Sequence, residues 1–500
     1  MRDTGGGRSA DTEAELVGLL TAVQDGRDAT AWDLAQRLTE HGTDPDAALR
    51  ALSAAEPRTW LRLDTALRSW HAYTGAPGVK PPVDANALDV LIAACSNDGR
   101  VRQAAVATTA MRTDPRLWPI LVIRTADWAA PVRNSARTVL RYALAAARGG
   151  GRTSALLKAV GVALRIRGRT RADAIMAMVT EAVRNDAPAV LAEARRLSSP
   201  PTRRWAYRLW LDGAVALDAL VEAAVRETDI VCRMLCAEAA AQRALAEGDA
   251  RPLERMLASR NARVQAEALT ALVRLGRADR GRDFLASRSA LVRATAQWAV
   301  RETGADPAEL YRSAQASAAE LPGLVAGLGE CGDARDVERV RPYLRHERPR
   351  VRAAAVRAFH RLGGPDEELA VLLTDPSPAV VRAVTRRRVT ALPAERLREL
   401  LADAARPRHV RQGAFHLLKT RGAWTRVEAA LLLLTCDDPV LEQIARADLL
   451  AWVHRDSATV YTTPSPQTRE RLHALAAQAG PRLGEDGARR LRWLLGRDRS

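Results

Sequence analysis

The sequence is poor in lysine, aromatic residues, cysteine and long apolar runs. Only three lysines are present, so arginine supplies 73 of the 76 basic residues. Aromatic residues are 4% of the chain and β-branched runs between turns are scarce, which favours closely packed helices over a β-sheet core. No run of eighteen apolar residues occurs, which predicts no membrane-spanning helix. Five dispersed cysteines do not make a disulfide framework.

Recognisable catalytic motifs are also missing. No His-Glu-x-x-His, Gly-x-Ser-x-Gly or phosphate-loop pattern occurs, so metal, acyl-transfer and nucleotide chemistry lack support. Cys232 and Cys236 are four residues apart on one predicted helix, but no histidine lies nearby to complete a metal site, which favours core packing. We predict no metal and no cofactor. The cysteine usage, with an N-terminus that lacks an apolar segment, predicts a cytoplasmic protein.

What the sequence does contain is a repeat. A valine-arginine pair returns about every 31 residues with a small residue four positions after the valine, as in Val351-Arg352 followed by Ala355. The clear copies begin at Val101, Val132, Val292, Val351, Val381 and Val410. Degenerate copies in the same frame begin at Thr170, Thr202, Cys232, Val264, Pro322 and Val440. A fixed period of this length predicts stacked units, here about twelve pairs of antiparallel helices.

Each repeat separates core positions from an arginine position. The starting residue and those four, seven or eight, and eleven positions later form one helix stripe, which we predict to be buried. The arginine after the start lies at the edge of this stripe, where it can bridge successive repeats or cap the preceding turn. It fills nine of twelve slots, where composition alone would place about two. These predicted ladder arginines are Arg102, Arg133, Arg171, Arg203, Arg233, Arg293, Arg352, Arg382 and Arg411.

The segment from about Leu88 to Trp452 resembles HEAT repeats of the short bacterial kind, in which a turn leads into a helix that begins Val-Arg and continues with alanine. The resemblance implies an all-α fold, a right-handed α-solenoid of about twelve two-helix repeats with helical caps at both ends. The predicted organisation is a disordered tail (1–12), an N-terminal helical cap (13–75), a proline-rich linker (76–87), the repeat solenoid (88–456) and a C-terminal helical cap (457–500).

The resemblance implies several functions, because HEAT-like arrays include scaffolds, assembly factors, bilin lyase subunits and, in one branch, DNA glycosylases. We predict a scaffold, without enzymatic activity, that binds a macromolecular partner on its concave face, with a protein as the first candidate. The alternative is a HEAT-like protein that binds nucleic acid through the basic segment from Arg133 to Arg171, of which an enzyme of the alkylpurine DNA glycosylase type is one form. That branch uses a catalytic aspartate with tryptophan and arginine, and Trp60 with Asp64 is the pair that we name for it.

The net charge of +17 has two explanations. Coding bias toward alanine and arginine can produce it without any ligand, whereas clustered cations can bind phosphates or an acidic partner. The strongest cluster is the stretch from Trp128 to Ala172, which contains no acidic residue. Besides ladder positions its cations are Arg137, Arg141, Arg148, Arg152, Lys158, Arg165, Arg167 and Arg169. A further run, Arg382 and Arg386 to Arg388, is predicted to be a solvated surface.

Overall fold

The computed structural model describes residues 5–25, 28–40, 42–75, 80–146, 152–168, 173–186, 188–314, 317, 321–387 and 391–496. Within these ranges the regular structure is helical and no strand occurs. The all-α prediction is therefore confirmed. None of the described helices is both long and apolar enough to cross a membrane. Contacts divide the chain into two compact units, residues 1–239 and 240–500.

In the first unit, helices of 5 to 20 residues connected by turns follow one another along the chain. They are α1 (Gly5–Gln24), α2 (Asp28–Thr39), α3 (Pro45–Ala54), α4 (Pro57–Thr74), α5 (Ala87–Ala94), α6 (Gly99–Val106), α7 (Thr109–Thr113), α8 (Trp118–Arg124), α9 (Ala130–Ala146), α10 (Arg152–Ile166), α11 (Asp173–Arg184), α12 (Pro188–Arg196), α13 (Pro200–Leu211) and α14 (Leu217–Arg226), and the unit boundary falls within α15 (Ile230–Glu247). The four N-terminal helices pack mainly on one another, and α4 also contacts α8 and α10.

The second unit also consists of successive helices connected by turns. Its helices are α16 (Arg251–Leu257), α17 (Ala262–Arg274), α18 (Ala290–Glu302), α19 (Pro307–Ser313), α20 (Leu321–Cys331), α21 (Val337–Val340), α22 (Pro349–Arg361), α23 (Asp366–Ala370), α24 (Pro378–Arg386), α25 (Ala394–Ala402), α26 (Arg408–Leu418), α27 (Ala423–Leu434), α28 (Pro439–His454), α29 (Pro466–Leu483) and α30 (Glu485–Leu495). Helices α20, α22, α24 and α26 pack side by side in succession, and α29 and α30 pack on α27 and α28. Successive helices of this kind, each preceded by a shorter element, form a repeated helical unit, as the sequence repeat predicts.

In several repeats of the second unit a 3-10 helix forms part or all of the first element, and in two of them it directly follows the short helices α21 and α23. The segments Ala278–Phe284, Arg341–Arg345 and Val371–Thr374 are 3-10 helices. Because a 3-10 helix is usually limited to a few residues, these repeats are short. The more regular layer in this part of the chain is consequently the one made by α18, α20, α22 and α24. The Val-Arg pairs at Val292, Val351 and Val381 lie in the first turns of α18, α22 and α24.

The repeat frame places the core correctly at every clear copy. The six valines are at most 2% exposed, and the residues at the fourth position are buried as well. Cys232 and Cys236, which occupy the same two slots, have no exposed surface, in agreement with a packing role. Small fourth-position residues let neighbouring helices approach closely, since a methyl group needs little space between two backbones.

The frame is wrong by one residue at three degenerate copies. Val440 is 43% exposed whereas Leu441 is fully buried, and Pro322 and Ala326 are only partly buried whereas Val325 is 3% exposed. At the third copy Thr170 lies outside the described residues, and Ala174 is exposed beside the buried Ile175. In an alanine-rich helix two neighbouring stripes both contain small apolar residues, so spacing alone does not select between them.

Two other segments differ from the prediction. The first helix begins at Gly5, inside the segment predicted as a disordered tail. The longest step between repeats, from Val132 onward, contains two long helices, α9 with 17 residues and α10 with 15 residues. Residues 147–151 of this step, which include three consecutive glycines, lie outside the described residues.

Candidate functional site

The second unit contains an open groove of about 1230 Å³. Residues from the first two turns of α18, α20 and α22, and from the start of α24, line it. Five of them are arginines, namely Arg288, Arg293, Arg348, Arg350 and Arg357. A smaller cavity of about 230 Å³ shares Ala353, Arg357 and Ala379 with it and adds Arg382, Ala383, Arg386 and Arg387. We call the two cavities together the arginine groove.

The repeat spacing explains why these side chains share one face. On α22, Arg350, Ala353 and Arg357 are separated by three and four residues, which places them one above another on the helix surface. On α24, Ala379 and Ala383 are separated by four residues in the same way, and Arg386 follows three residues later. The face therefore alternates arginines with small apolar residues. The small residues form the floor of the groove, and the arginines surround it.

The arginine groove has no acidic residue among its lining residues. Arg293 is neutralised by Glu330, with Nε 3.0 Å from Oε2, and Arg348 lies 3.6 Å from Glu347. The other six cations form no salt bridge with a carboxylate in the part of the chain that the structure describes. These are Arg288, Arg350, Arg357, Arg382, Arg386 and Arg387. By contrast, Arg312 in the same unit holds both oxygens of Asp336 at 2.8 Å.

Electrostatic repulsion within the groove is visible at Arg357. Burial lowers the pKa of its guanidinium most, and the neighbouring charges of Arg387, Arg293, Arg361 and Arg386 lower that pKa further. The side chain nevertheless reaches solvent, so a ligand has access to it. Cations that lower one another's pKa are stabilised by an added anion. This arrangement can bind an anionic group, and it contains no nucleophile paired with a base.

The predicted ladder is present where a carboxylate lies in the next repeat, and Arg352 shows its geometry. Nε and Nη2 of Arg352 donate to the two oxygens of Asp375 at 2.8 and 2.9 Å. Nη1 donates to the backbone carbonyls of His346 and Glu347 at 2.8 and 2.9 Å. The guanidinium therefore bridges two repeats and caps the preceding turn. Equivalent bridges join Arg102 with Asp127, Arg203 with Glu227, and Arg293 with Glu330.

Two ladder arginines lack a carboxylate partner but cap carbonyls. Nη1 of Arg133 donates to the carbonyl oxygen of Asp127 at 2.8 Å. Arg411 donates from Nε to the Leu401 carbonyl at 3.0 Å and contacts the Cys436 Sγ at 2.6 Å from Nη2. A cysteine has therefore replaced the acid at this step of the ladder.

Three ladder positions give a different outcome. Arg382 is exposed and lines the arginine groove instead of bridging repeats. Nε of Arg233 is buried without a hydrogen-bond partner among the described residues. Arg171 lies outside the described residues. The arginine position is thus used in two ways, as a bridge where the following repeat provides an acid and as a groove cation at Arg382.

The acid-free stretch of the first unit is less available for binding than its sequence suggests. Nη2 of Arg152 donates to the Leu144 carbonyl at 2.6 Å, and Nζ of Lys158 donates to the Ala55 carbonyl at 2.5 Å. Arg137 donates to a backbone carbonyl as well. Of the remaining predicted cations, Arg141, Arg165 and Arg167 are exposed, whereas Arg148 and Arg169 lie outside the described residues. Backbone oxygens thus satisfy several of the charges that the sequence leaves unpaired.

The pair named for base excision is buried in α4. Trp60 is 1% exposed and Asp64 is 8% exposed. The Asp64 carboxylate forms salt bridges with Arg68 at 3.2 Å and with the buried Arg124. A carboxylate between two arginines is the arrangement of a structural ion pair, in which the charge is already compensated. Among the described residues, no cluster of three His, Cys, Asp or Glu side chains could hold a metal ion.

Most of the groove residues are absent from the sequence-based predictions. Arg288, Arg348, Arg350 and Arg357 were not selected, and the run that includes Arg386 and Arg387 was predicted to be solvated surface. The sequence feature that could have identified the groove is the spacing of Arg350 and Arg357 on either side of Ala353. These residues belong to a helix without acidic residues in its first turn. Arg388 of that run lies outside the described residues.

No protein-family model matches the chain, and no curated protein matches it. Among solved structures it is similar to a chain of the structure describing Kap95p binding to RanGDP, with 12% identity, a TM-score of 0.30, and coverage of 97% of this chain and 69% of that chain. Kap121p bound to Nup53p gives 12% identity, a TM-score of 0.24 and coverage of 97% and 55%. A circular tandem repeat protein gives 14% identity and a TM-score of 0.16, with coverage of 97% of this chain and 96% of that chain. The fold assignment rests on the helices and their packing.

Proposed function

We propose that the protein is a HEAT-like scaffold that binds an extended acidic segment of a protein partner in the arginine groove. The observation that carries the proposal is the group of six groove arginines that form no salt bridge with a carboxylate among the described residues, whereas other arginines of the same unit, such as Arg312 and Arg352, are paired. Charge complementarity sets both the specificity and the association rate of such an interface. The partner would supply the carboxylates that this face lacks.

The floor of the groove favours a peptide over a nucleic acid. Ala290, Ala326, Ala353 and Ala383 provide small apolar contacts that an extended backbone can approach closely. Proteins that bind single-stranded nucleic acid add aromatic side chains on which the bases stack, and no aromatic side chain lines this groove.

The experiment is a fluorescence-anisotropy titration with a labelled twelve-residue peptide of alternating Glu and Gly. The double variant Arg357→Gln, Arg387→Gln is expected to bind about tenfold or more weakly than the wild type, since each charged contact is worth about 1.5–3 kcal/mol. Affinity should also fall between about 50 and 200 mM salt because the charges are screened. Arg251→Gln, Arg335→Gln is the matched control, since these arginines are 90% and 84% exposed and lie outside the groove.

Two results would contradict the proposal. Equal peptide affinity of the groove variant and the wild type would show that the groove is not the binding site. A labelled oligonucleotide, single-stranded or duplex, that binds more tightly than the peptide and loses affinity in the same variant would assign the groove to nucleic acid. Circular dichroism of each variant checks that the helices are intact.

A further inference from the structure

The N-terminus of α22 carries positive charge where helices usually carry an acid. Its N-cap residue is Arg348, which makes no side-chain capping bond, and Pro349 and Arg350 follow without any acidic residue in the first turn. In the same unit α19 and α28 are capped by the carboxylates of Asp306 and Asp438. The first-turn amides of a helix and its dipole favour negative charge. Unlike α19 and α28, the α22 terminus therefore has no capping carboxylate and no acidic residue in its first turn.

The arginine groove surrounds this terminus with further cations. Arg288, which immediately precedes the N-cap of α18, lines the same cavity as Arg348 and Arg350. Residues from the starts of α18, α20 and α24 also line it, so four helix N-termini face one space. The cluster of arginines around the cavity is the primary observation, and the helix termini add to its positive potential.

The arginines around this cavity provide more hydrogen-bond donors and more positive charge than a single carboxylate can pair with. A carboxylate has one charge and two oxygens, whereas a phosphate monoester on Ser or Thr has a charge of about −1.5 to −2 at pH 7 and three acceptor oxygens. Arginine clusters recognise phosphorylated and acidic motifs for this reason. A nucleic-acid phosphate is a diester with a single charge, so it does not provide the same match.

Building on the proposed function, we infer that the partner segment is recognised in its phosphorylated form. The phosphate of a phosphoserine or phosphothreonine binds at the N-terminus of α22 between Arg288, Arg348 and Arg350, and flanking acidic residues bind toward Arg357 and Arg387. Phosphorylation of the partner then controls its binding to the scaffold.

The test uses three labelled twelve-residue acidic peptides that differ only at one central residue, which is phosphoserine, Glu or Ser. The wild type is expected to bind the phosphoserine peptide about tenfold or more tightly than the Glu peptide. In Arg350→Gln this ratio should fall to within about twofold. Arg350 is exposed, so its replacement leaves the core intact.

Arg263→Gln is the matched control. Arg263 stands at the equivalent position of α17, one residue before the start Val264, but the side chain of Asn261 caps that helix and Arg263 does not line the groove. The phosphoserine-to-Glu ratio should be unchanged in this variant. Lowering the pH from 7.5 to 5.5 should reduce the ratio in the wild type, since the second phosphate pKa is about 6 and the Glu peptide stays ionised.

Equal affinity for the phosphoserine and Glu peptides, or a ratio that persists in Arg350→Gln, would overturn this inference and leave the proposed function in place. Failure of the Glu peptide to bind, or its indifference to Arg357→Gln, Arg387→Gln, would instead overturn the proposed function. Displacement of the phosphoserine peptide by an equal concentration of inorganic phosphate would assign the site to free phosphate and exclude a phosphorylated segment.

Discussion

Arg357 and Arg387 occupy the same position of two neighbouring helices, six residues after Val351 and six residues after Val381. The pKa of Arg357 is lowered mainly by burial. The charge of Arg387 is the second-largest cause and also lowers that pKa. Nε of Arg387 is buried without a hydrogen-bond partner among the described residues. The two guanidiniums therefore repel each other in the free protein, and an anion bound in the arginine groove would relieve that repulsion.

Removal of one of these charges is expected to stabilise the free protein. Arg387→Gln should raise the thermal midpoint by roughly 1–2 °C in about 20 mM salt, and the difference should disappear in about 0.5 M salt, where like charges are screened. Differential scanning calorimetry at the two salt concentrations measures this. Arg406→Gln is the control, since Arg406 is paired with Asp403 at 3.1 Å and its loss should give no gain. A lower midpoint for Arg387→Gln at low salt would show that Arg387 has a structural role.

The core positions of the clear repeats could be predicted from spacing, since a valine followed by a small residue four positions later specifies one helix face. Val351 and Ala355 illustrate this, and both are fully buried. The degenerate copy at Pro322 failed for a physical reason. Gly329 packs against Ala358 of α22, and this contact between neighbouring helices, which no local pattern contains, sets the rotation of α20.

The arginine groove could not be predicted because charge balance is a property of space and not of sequence. Glu330 is 37 residues away from Arg293 in the chain and still neutralises it, whereas Arg357 forms no salt bridge with a carboxylate among the residues that the structure describes. Conversely, the acid-free stretch near Lys158 looked unbalanced in sequence, but a backbone carbonyl accepts from that ammonium. Counting acids along the chain therefore did not identify the arginine groove.

The contribution of an arginine-carboxylate pair to the free energy of unfolding should depend on how deeply the pair is buried. Asp375→Ala removes the partner of Arg352, whose side chain is only 12% exposed, and is expected to lower the free energy of unfolding by about 3 kcal/mol because a poorly solvated charge is left alone. Asp403→Ala is the control, since that carboxylate is 43% exposed and should cost at most about 0.5 kcal/mol.

Urea denaturation measures the free energy of unfolding of both variants and of the wild type. Hydrogen exchange should place the lost protection of Asp375→Ala in α22, α24 and their neighbours, because each repeat contacts only those beside it. Similar losses for Asp375→Ala and Asp403→Ala would mean that the bridge contributes no more than a surface pair.

The close packing of α20 on α22 predicts a glycine requirement. A methyl group added at Gly329 would overlap Ala358, both side chain and backbone, so Gly329→Ala should destabilise the protein by about 1–3 kcal/mol through overpacking. Gly18, in the interior of α1, has no atom within 4 Å of the same added methyl group. Gly18→Ala should therefore stabilise by up to about 1 kcal/mol through helix propensity. Chemical denaturation compares the two, and a neutral Gly329→Ala would contradict the close approach.

The buried cysteine pair is predicted to be chemically inert. Burial, as the largest cause, raises the pKa of Cys232 to about 12 from 9.0, and burial likewise raises the pKa of Cys236 to about 12. Since only the thiolate reacts, the reactive fraction of each at pH 8 is about a thousandfold below that of an ordinary cysteine. Cys436 is only half-buried and has the guanidinium of Arg411 at its sulfur, so it should be alkylated first.

Peptide mapping by mass spectrometry after timed iodoacetamide treatment at pH 8 measures the order of reaction. Labelling in about 6 M guanidinium is the control, in which all five cysteines should react because burial no longer raises the thiol pKa. A rate at Cys232 and Cys236 equal to that at Cys436 would contradict their place in the core. A disulfide between Cys232 and Cys236 after mild oxidation would also contradict their place in the core. It would indicate a redox role for the pair instead of a packing role.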